Sequence, residues 1–168
     1  MSFRAKIFSL MLLASAFVAR AELAPGDAFP PLNAASLTGV VLPATDGRVV
    51  LVDFWASWCA PCKASFPAMA KLHADYASRG VLILAVGLDD RHDPRAAADA
   101  FIRRMAPPFV VLRDAGNRLV PLVAPPAMPT SYLLGRDGTV RFVHQGFHGE
   151  ATEREVRREL DTLLAEKN

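Results

Sequence analysis

The chain has 168 residues, 52% of them hydrophobic and 21% charged, which suits one folded domain with a sizeable core and excludes a disordered chain. Its formal charge of +2 comes from 19 basic and 17 acidic residues, but three of the basic residues, Arg4, Lys6 and Arg20, fall before residue 22, where there is no acid. Without that segment the balance is 16 to 17, a net −1, and no basic patch with interleaved aromatics exists; the composition excludes a nucleic-acid partner.

Residues 1–21 have the form of a targeting segment. Arg4 and Lys6 precede an apolar run from Ile7 to Ala19, and Ala19-Arg20-Ala21 has the small-x-small pattern of a cleavage site. The run is shorter than the ~20 residues a spanning helix needs, which favours cleavage near Ala21 over a retained anchor. The expected organisation is a signal peptide over 1–21 and one domain over 22–168. The mature domain is expected in the periplasm, soluble and monomeric. Export places the only two cysteines, Cys59 and Cys62, in an oxidising compartment.

Residues 22–47 are rich in Pro, Gly and Ala and read as an extended lead-in, with a weak hairpin around Leu37 to Leu42 turning at Thr38-Gly39. Val49 to Trp55 is a near-continuous apolar run, the pattern of a central strand buried on both faces. Asp53 breaks it. A carboxylate there is costly to bury charged, so it is either an end-of-strand residue that reaches solvent or a buried functional acid. A helix follows, with Pro61 in the first turn where its missing N–H has no intrahelical partner, Pro67 inside, and Gly80 as terminator.

Val81 to Leu88 reads as a second buried strand, followed by the acidic loop Asp89-Asp90. Asp93-Pro94 starts a helix over Ala96 to Met105, and Phe109 to Leu112 is a short strand. A proline-heavy passage ends in Met128-Pro129-Thr130. Ser131 to Leu134 and Thr139 to His144 flank Arg136-Asp137-Gly138 as a hairpin. Thr152-Glu153-Arg154-Glu155 has capping-box form and opens a last helix whose apolar face is Val156, Leu160, Leu163 and Leu164. The pattern predicts an α/β fold.

The chemistry concentrates at Cys59 and Cys62. A disulfide between them closes too small a loop to be a useful staple, whereas the spacing suits a redox couple. At a helix N-terminus Cys59 has free N–H groups and the positive dipole end to stabilise its thiolate, the form that attacks disulfides. Cys62, one turn on, can resolve the mixed disulfide formed at Cys59. Asp53 is the candidate base for the Cys62 proton. Trp55 and Trp58 are expected to cover the site, with core or surface packing as the alternative.

The stretch Asp-Phe-Trp-Ala-Ser-Trp-Cys-Ala-Pro-Cys-Lys resembles the active site of thioredoxins. With the leader, the extra helix and strand at 94–112 and Leu-Leu-Gly-Arg-Asp-Gly, residues 25–166 resemble the TlpA/ResA-like exported thiol-disulfide oxidoreductases. The resemblance implies a thioredoxin-like fold: a central mixed sheet flanked by helices, with an N-terminal extension and an inserted helix–strand. It implies a cis bond at Pro129 opposite the sulfurs and backbone contacts from Met128 to an extended substrate. Trp58, Pro61, Met128, Pro129 and Thr130 form the expected substrate-binding set. It further implies protein thiol or disulfide substrates, a membrane electron-donor protein, a role such as cytochrome c maturation, and no cofactor beyond the redox-active disulfide. Two positions depart from the pattern: Ser65 stands where many relatives have glutamate, and Asp53 where they have asparagine. The position of the lysine that partners the acid in cytoplasmic thioredoxins is Ala85, which predicts a raised pKa for Asp53.

Other readings compete. A disulfide oxidase uses the same residues in the opposite direction. A copper metallochaperone would bind metal at the dithiol, although the copper-handling relatives usually have a longer Cys-x-x-x-Cys. A zinc site would combine Cys59 and Cys62 with His144 and His148. A thiol peroxidase lacks its Thr-x-x-Cys signature here.

Overall fold

The structure is a computed structural model and describes residues 22–32, 37–38, 41–88 and 95–166. The 1–21 leader, the Gly39 turn, the Asp89-Asp90 loop and the Asp93-Pro94 helix start lie outside the described residues.

The elements in chain order are β1 (Leu37–Thr38), β2 (Val50–Trp55), α1 (Ala60–Tyr76), β3 (Leu82–Leu88), α2 (Arg95–Met105), β4 (Val110–Asp114), α3 (Val120–Val123), β5 (Thr130–Leu134), β6 (Val140–Gln145) and α4 (Glu150–Ala165). They form a thioredoxin-like α/β fold around one mixed sheet of order β1-β4-β3-β2-β5-β6. β2, β3 and β4 run parallel, while β5 pairs antiparallel with β2 and with β6.

β2 forms because its β-branched and aromatic run suits a pleat covered on both sides. All six residues are buried. Their alternation divides the core in two. Val50, Val52 and Phe54 pack with Leu84, Val86 and Tyr132 on one face. Leu51 and Trp55 pack with Phe66, Met69 and Ile83 on the other, beneath α1 and α4. Asp53 shares this second face, so the acid lies beneath the helix that carries the cysteines. Trp55 is core: its ring centroid lies 5.1 Å from that of Phe66 and 5.5 Å from that of Phe101. The second of its two expected roles, packing, is therefore the one it fills.

α1 begins at Ala60 with Pro61 in its first turn and runs unbroken past Pro67. A short 3₁₀ turn follows, and Gly80 ends it at φ 94°, a left-handed conformation that costs glycine little. The inserted α2–β4 unit is present, and β4 extends two residues past the predicted Leu112 because Arg113 and Asp114 pair with β1. The start of the lead-in lies beside β6, where Gly26 donates to the Val140 carbonyl at 2.8 Å and Val140 donates to that of Asp27 at 2.8 Å, whereas Leu37–Thr38 pair at the opposite edge.

Leu37–Thr38 pairs with β4, and the turn of the expected 37–42 hairpin lies outside the described residues. Two further local features add to or correct the sequence reading. The passage before Pro129 contains the short helix α3, organised by buried Asp114, whose carboxylate accepts from the backbone N–H groups of Arg118, Leu119 and Val120. α4 starts at Glu150 with Gly149 as its N-cap, not at the Thr152 capping box. Thr152 lies inside the helix, and its hydroxyl accepts from the His148 N–H at 3.0 Å.

Candidate active site

β2 ends at Trp55, and four residues later the chain turns into α1 with Cys59 as its N-cap. Cys59 is extended, at φ −85° and ψ 104°, which aims its side chain back over the first turn. Its Sγ accepts a hydrogen bond from the Cys62 backbone N–H at 3.2 Å. No acidic residue lies in that turn, so the positive end of the helix is uncompensated. The two sulfurs are joined in a disulfide at 2.04 Å. Cys59 is 4% exposed and Cys62 0%, so an approaching sulfur reaches Cys59 first.

Asp53 is in the middle of β2 and 1% exposed, which excludes the solvent-reaching alternative. It faces Ala85 on β3 and Ser131 on β5. The Ser131 hydroxyl donates to Asp53 Oδ1 at 2.5 Å, and Oδ2 has no partner. Burial pushes the Asp53 carboxyl up to about 7, and the Ser131 hydrogen bond opposes that rise. Ala85 offers no charge, as the sequence predicted. Asp53, Ser65 and Ser131 line a cavity of about 20 Å³ between β2, α1 and α4, with Phe147 and Glu153 at its other end. Ser65 donates its hydroxyl to the Cys62 carbonyl at 2.8 Å, which links the cavity to the turn that carries the disulfide.

The Met128–Pro129 peptide bond is cis. Thr130 pairs with Phe54, which brings Pro129 to the end of β2 from which the Cys59 loop departs. The Pro129 carbonyl accepts from the Gly146 N–H at 2.7 Å, so the end of β6 holds this loop in place. Met128 is half-buried and packs against both halves of the core. Thr130 is fully buried, and its hydroxyl donates to the Ala127 carbonyl at 2.8 Å. Its side chain braces the loop that carries Met128 and Pro129. Trp58, at 49% exposure, and Pro61 stand on the surface beside Cys59. Trp58 thus leaves half of its surface open to solvent at the edge of the site.

The residues weighed as a zinc set are not brought together. His144 is held by Glu159 at 2.6 Å, and among the described residues no three His, Cys, Asp or Glu side chains form a group that could hold a metal ion. Sequence reasoning missed Ser131, Phe147 and Glu153 at the acid. Ser131 carries no signal of its own, because it stands between Thr130 and Tyr132 in a strand with three hydroxyls.

A disulfide at a helix N-cap, a cis-proline loop beside it and a buried acid beneath it define a thioredoxin-like redox centre. The Redoxin family model matches residues 24–160. Thiol-disulfide oxidoreductase ResA of Oceanobacillus iheyensis is 34% identical over 127 residues, 72% of this chain and 65% of that one, so the chain spans just under two thirds of this relative's length. ResA of Geobacillus thermodenitrificans is 26% identical over 90% of this chain and 85% of its own. A crystal structure from Chlorobium tepidum, described as a thiol:disulfide interchange protein DsbE, superposes with a TM-score of 0.75 at 34% identity, covering 86% of this chain and all of that one. The chain belongs to the Redoxin family, and it is similar to the ResA and DsbE thiol-disulfide oxidoreductases. Its Cys59–Cys62 pair has the CXXC spacing. Among the described residues no helix is long and apolar enough to cross a membrane.

Proposed function

We propose that the protein is a periplasmic protein-disulfide reductase, exported by the 1–21 leader, that passes two electrons from its Cys59/Cys62 dithiol to oxidised protein thiols. The observation that carries this reading is the placement of Cys59 at the N-cap of α1 with a backbone N–H on its sulfur, above a fully buried Cys62. In the reduced chain that N–H and the helix dipole favour the Cys59 thiolate.

The thiolate attacks one sulfur of a substrate disulfide. The Cys59–substrate bond forms, the substrate S–S bond breaks, and the departing thiolate takes up a proton. Asp53 then accepts the Cys62 proton, and Cys62 attacks Cys59 Sγ. The Cys59–Cys62 disulfide forms as the second substrate thiolate leaves and is protonated. The chain loses two electrons and two protons; the substrate gains both. Trp58, Pro61 and the Met128-Pro129 loop bind the extended polypeptide around the reacting disulfide. A membrane electron-donor protein returns the chain to the dithiol, and no further cofactor takes part. Apocytochrome c or a related thiol-repair substrate fits this chemistry, because each needs free thiols in an oxidising compartment.

The test is reduction of insulin by the purified chain without residues 1–21, supplied with dithiothreitol, followed by a copper-binding titration of the reduced form. Reduction well above the dithiothreitol background, lost in Cys59→Ser, is the expected result. A reduced form that retains stoichiometric copper and does not reduce insulin would assign the dithiol to metal delivery instead.

A further inference from the structure

We propose that Ser131 is the positioning residue of the redox centre: its hydroxyl holds Asp53 by Oδ1 and leaves Oδ2 as the proton acceptor for Cys62. This rests on the reading of Asp53 as the base.

Three observations support it. First, Asp53 and Ser131 are direct register partners on neighbouring antiparallel strands, 78 positions apart in sequence. Facing side chains in such a pair have Cβ atoms only about 5 Å apart, so the contact is set by the sheet and not by a flexible loop. Second, the two oxygens of the acid are unequal. Oδ1 accepts from Ser131, whereas Oδ2 is buried and has no partner. A buried acceptor without a partner is destabilising, a cost that a base has reason to bear because its lone pair must be free to take a proton. Third, Asp53 and Ser131 share their cavity of about 20 Å³ with Ser65, which bonds the Cys62 carbonyl. The cavity thus places the acid, its Ser131 partner and a hydroxyl bonded to the Cys62 backbone side by side beneath the turn that carries the disulfide.

The surroundings explain why a hydroxyl is needed. β3 presents Ala85, and α1 presents Ser65, Ala68, Met69 and Leu72. α4 presents Thr152, Val156 and Glu153, and Glu153 is engaged by Arg157 at 3.0 Å and by Lys71 at 3.5 Å. Among the residues that line the cavity, Glu153 is the only other charged group, and no cation lines it. Burial therefore drives the Asp53 pKa upward, and Ser131 is the group that opposes it. The same bond joins the strand that leads to Cys59 to the strand that follows Pro129, so the acid is placed relative to both halves of the site.

The test is the reaction of the reduced chain with 5,5′-dithiobis(2-nitrobenzoate), followed by stopped flow from pH 5 to 9. Attack by Cys59 releases a first thionitrobenzoate, and resolution by Cys62 releases a second. For Ser131→Ala the second release is expected to slow about tenfold relative to the first below pH 7, and its pH profile to move upward and recover at high pH. Ser131→Thr, which keeps the hydroxyl, is expected to retain the profile. In an Asp53→Asn background Ser131→Ala is expected to add nothing. A Ser131→Ala profile that coincides with the parent, or an equal loss with Asp53→Asn already present, overturns the inference while leaving the base intact. An Asp53→Asn chain whose second release is unchanged overturns the base reading itself.

Discussion

The backbone N–H of Cys62 points at the sulfur of Cys59, 3.2 Å away, while the Cys62 side chain is fully buried. The two cysteines are therefore unequal before any substrate arrives. One is an anion site at the end of a helix, and the other is a thiol that must find a base.

That inequality sets the outcome of single substitutions. Cys59→Ser is expected to abolish disulfide reduction. Cys62→Ser is expected to attack normally and then stall, accumulating mixed disulfides that non-reducing electrophoresis and mass spectrometry detect at Cys59. Accumulation by Cys59→Ser instead would reverse the two roles.

Asp53 makes stability depend on pH. Its carboxyl titrates near 7 in the folded chain and near 3.9 when unfolded. A folded pKa raised above the unfolded one favours folding most at low pH, and that contribution is lost as pH rises from about 4 through 7. At pH 8 the buried charge thus costs roughly 3–5 kcal/mol, the linkage value of such a shift. Asp53→Asn is expected to be the more stable protein by that order at pH 8 in urea unfolding of the oxidised form, with the difference vanishing towards pH 4. Equal stabilities at pH 8 would contradict the raised pKa.

His144 and Glu159 form a second buried polar pair, 2.6 Å apart, with side chains 11% and 9% exposed. It ties β6 to α4 behind the loop in which Gly146 holds Pro129. His144→Ala leaves the buried Glu159 side chain without its hydrogen-bond partner and is expected to cost about 1–3 kcal/mol, the penalty for an unsatisfied buried polar group. His144→Ala combined with Glu159→Leu is expected to recover most of it, because the unpaired group is then gone. If the double variant loses as much as the single one, packing and not the pair is what matters there. Urea midpoints at pH 7 distinguish the two.

Much of this architecture was legible in the chain, for identifiable reasons. β2 and β3 declare themselves because strands buried on both faces are apolar throughout, and Asp53 was conspicuous for breaking that run. α1 was legible because Pro61 marks its start and Gly80 ends the 3₁₀ turn that continues it. The start of α4 misled because Thr152-x-x-Glu155 has the form of a cap, whereas the chain turns at Gly149, whose φ of 64° suits glycine. The cis bond at Pro129 entered only through resemblance. Ser131 could not be singled out, because its significance comes from standing opposite Asp53, and periodicity carries no information about which distant strand becomes a neighbour.

The central claim is that this couple donates electrons. Its most direct test is an equilibrium titration of Cys59–Cys62 against glutathione buffers at pH 7, followed by Trp fluorescence or alkylation. A reductase is expected at about −250 mV or below, in the thioredoxin range. A value near −120 mV, as in a strong dithiol oxidant, would contradict the account and make the protein a disulfide donor.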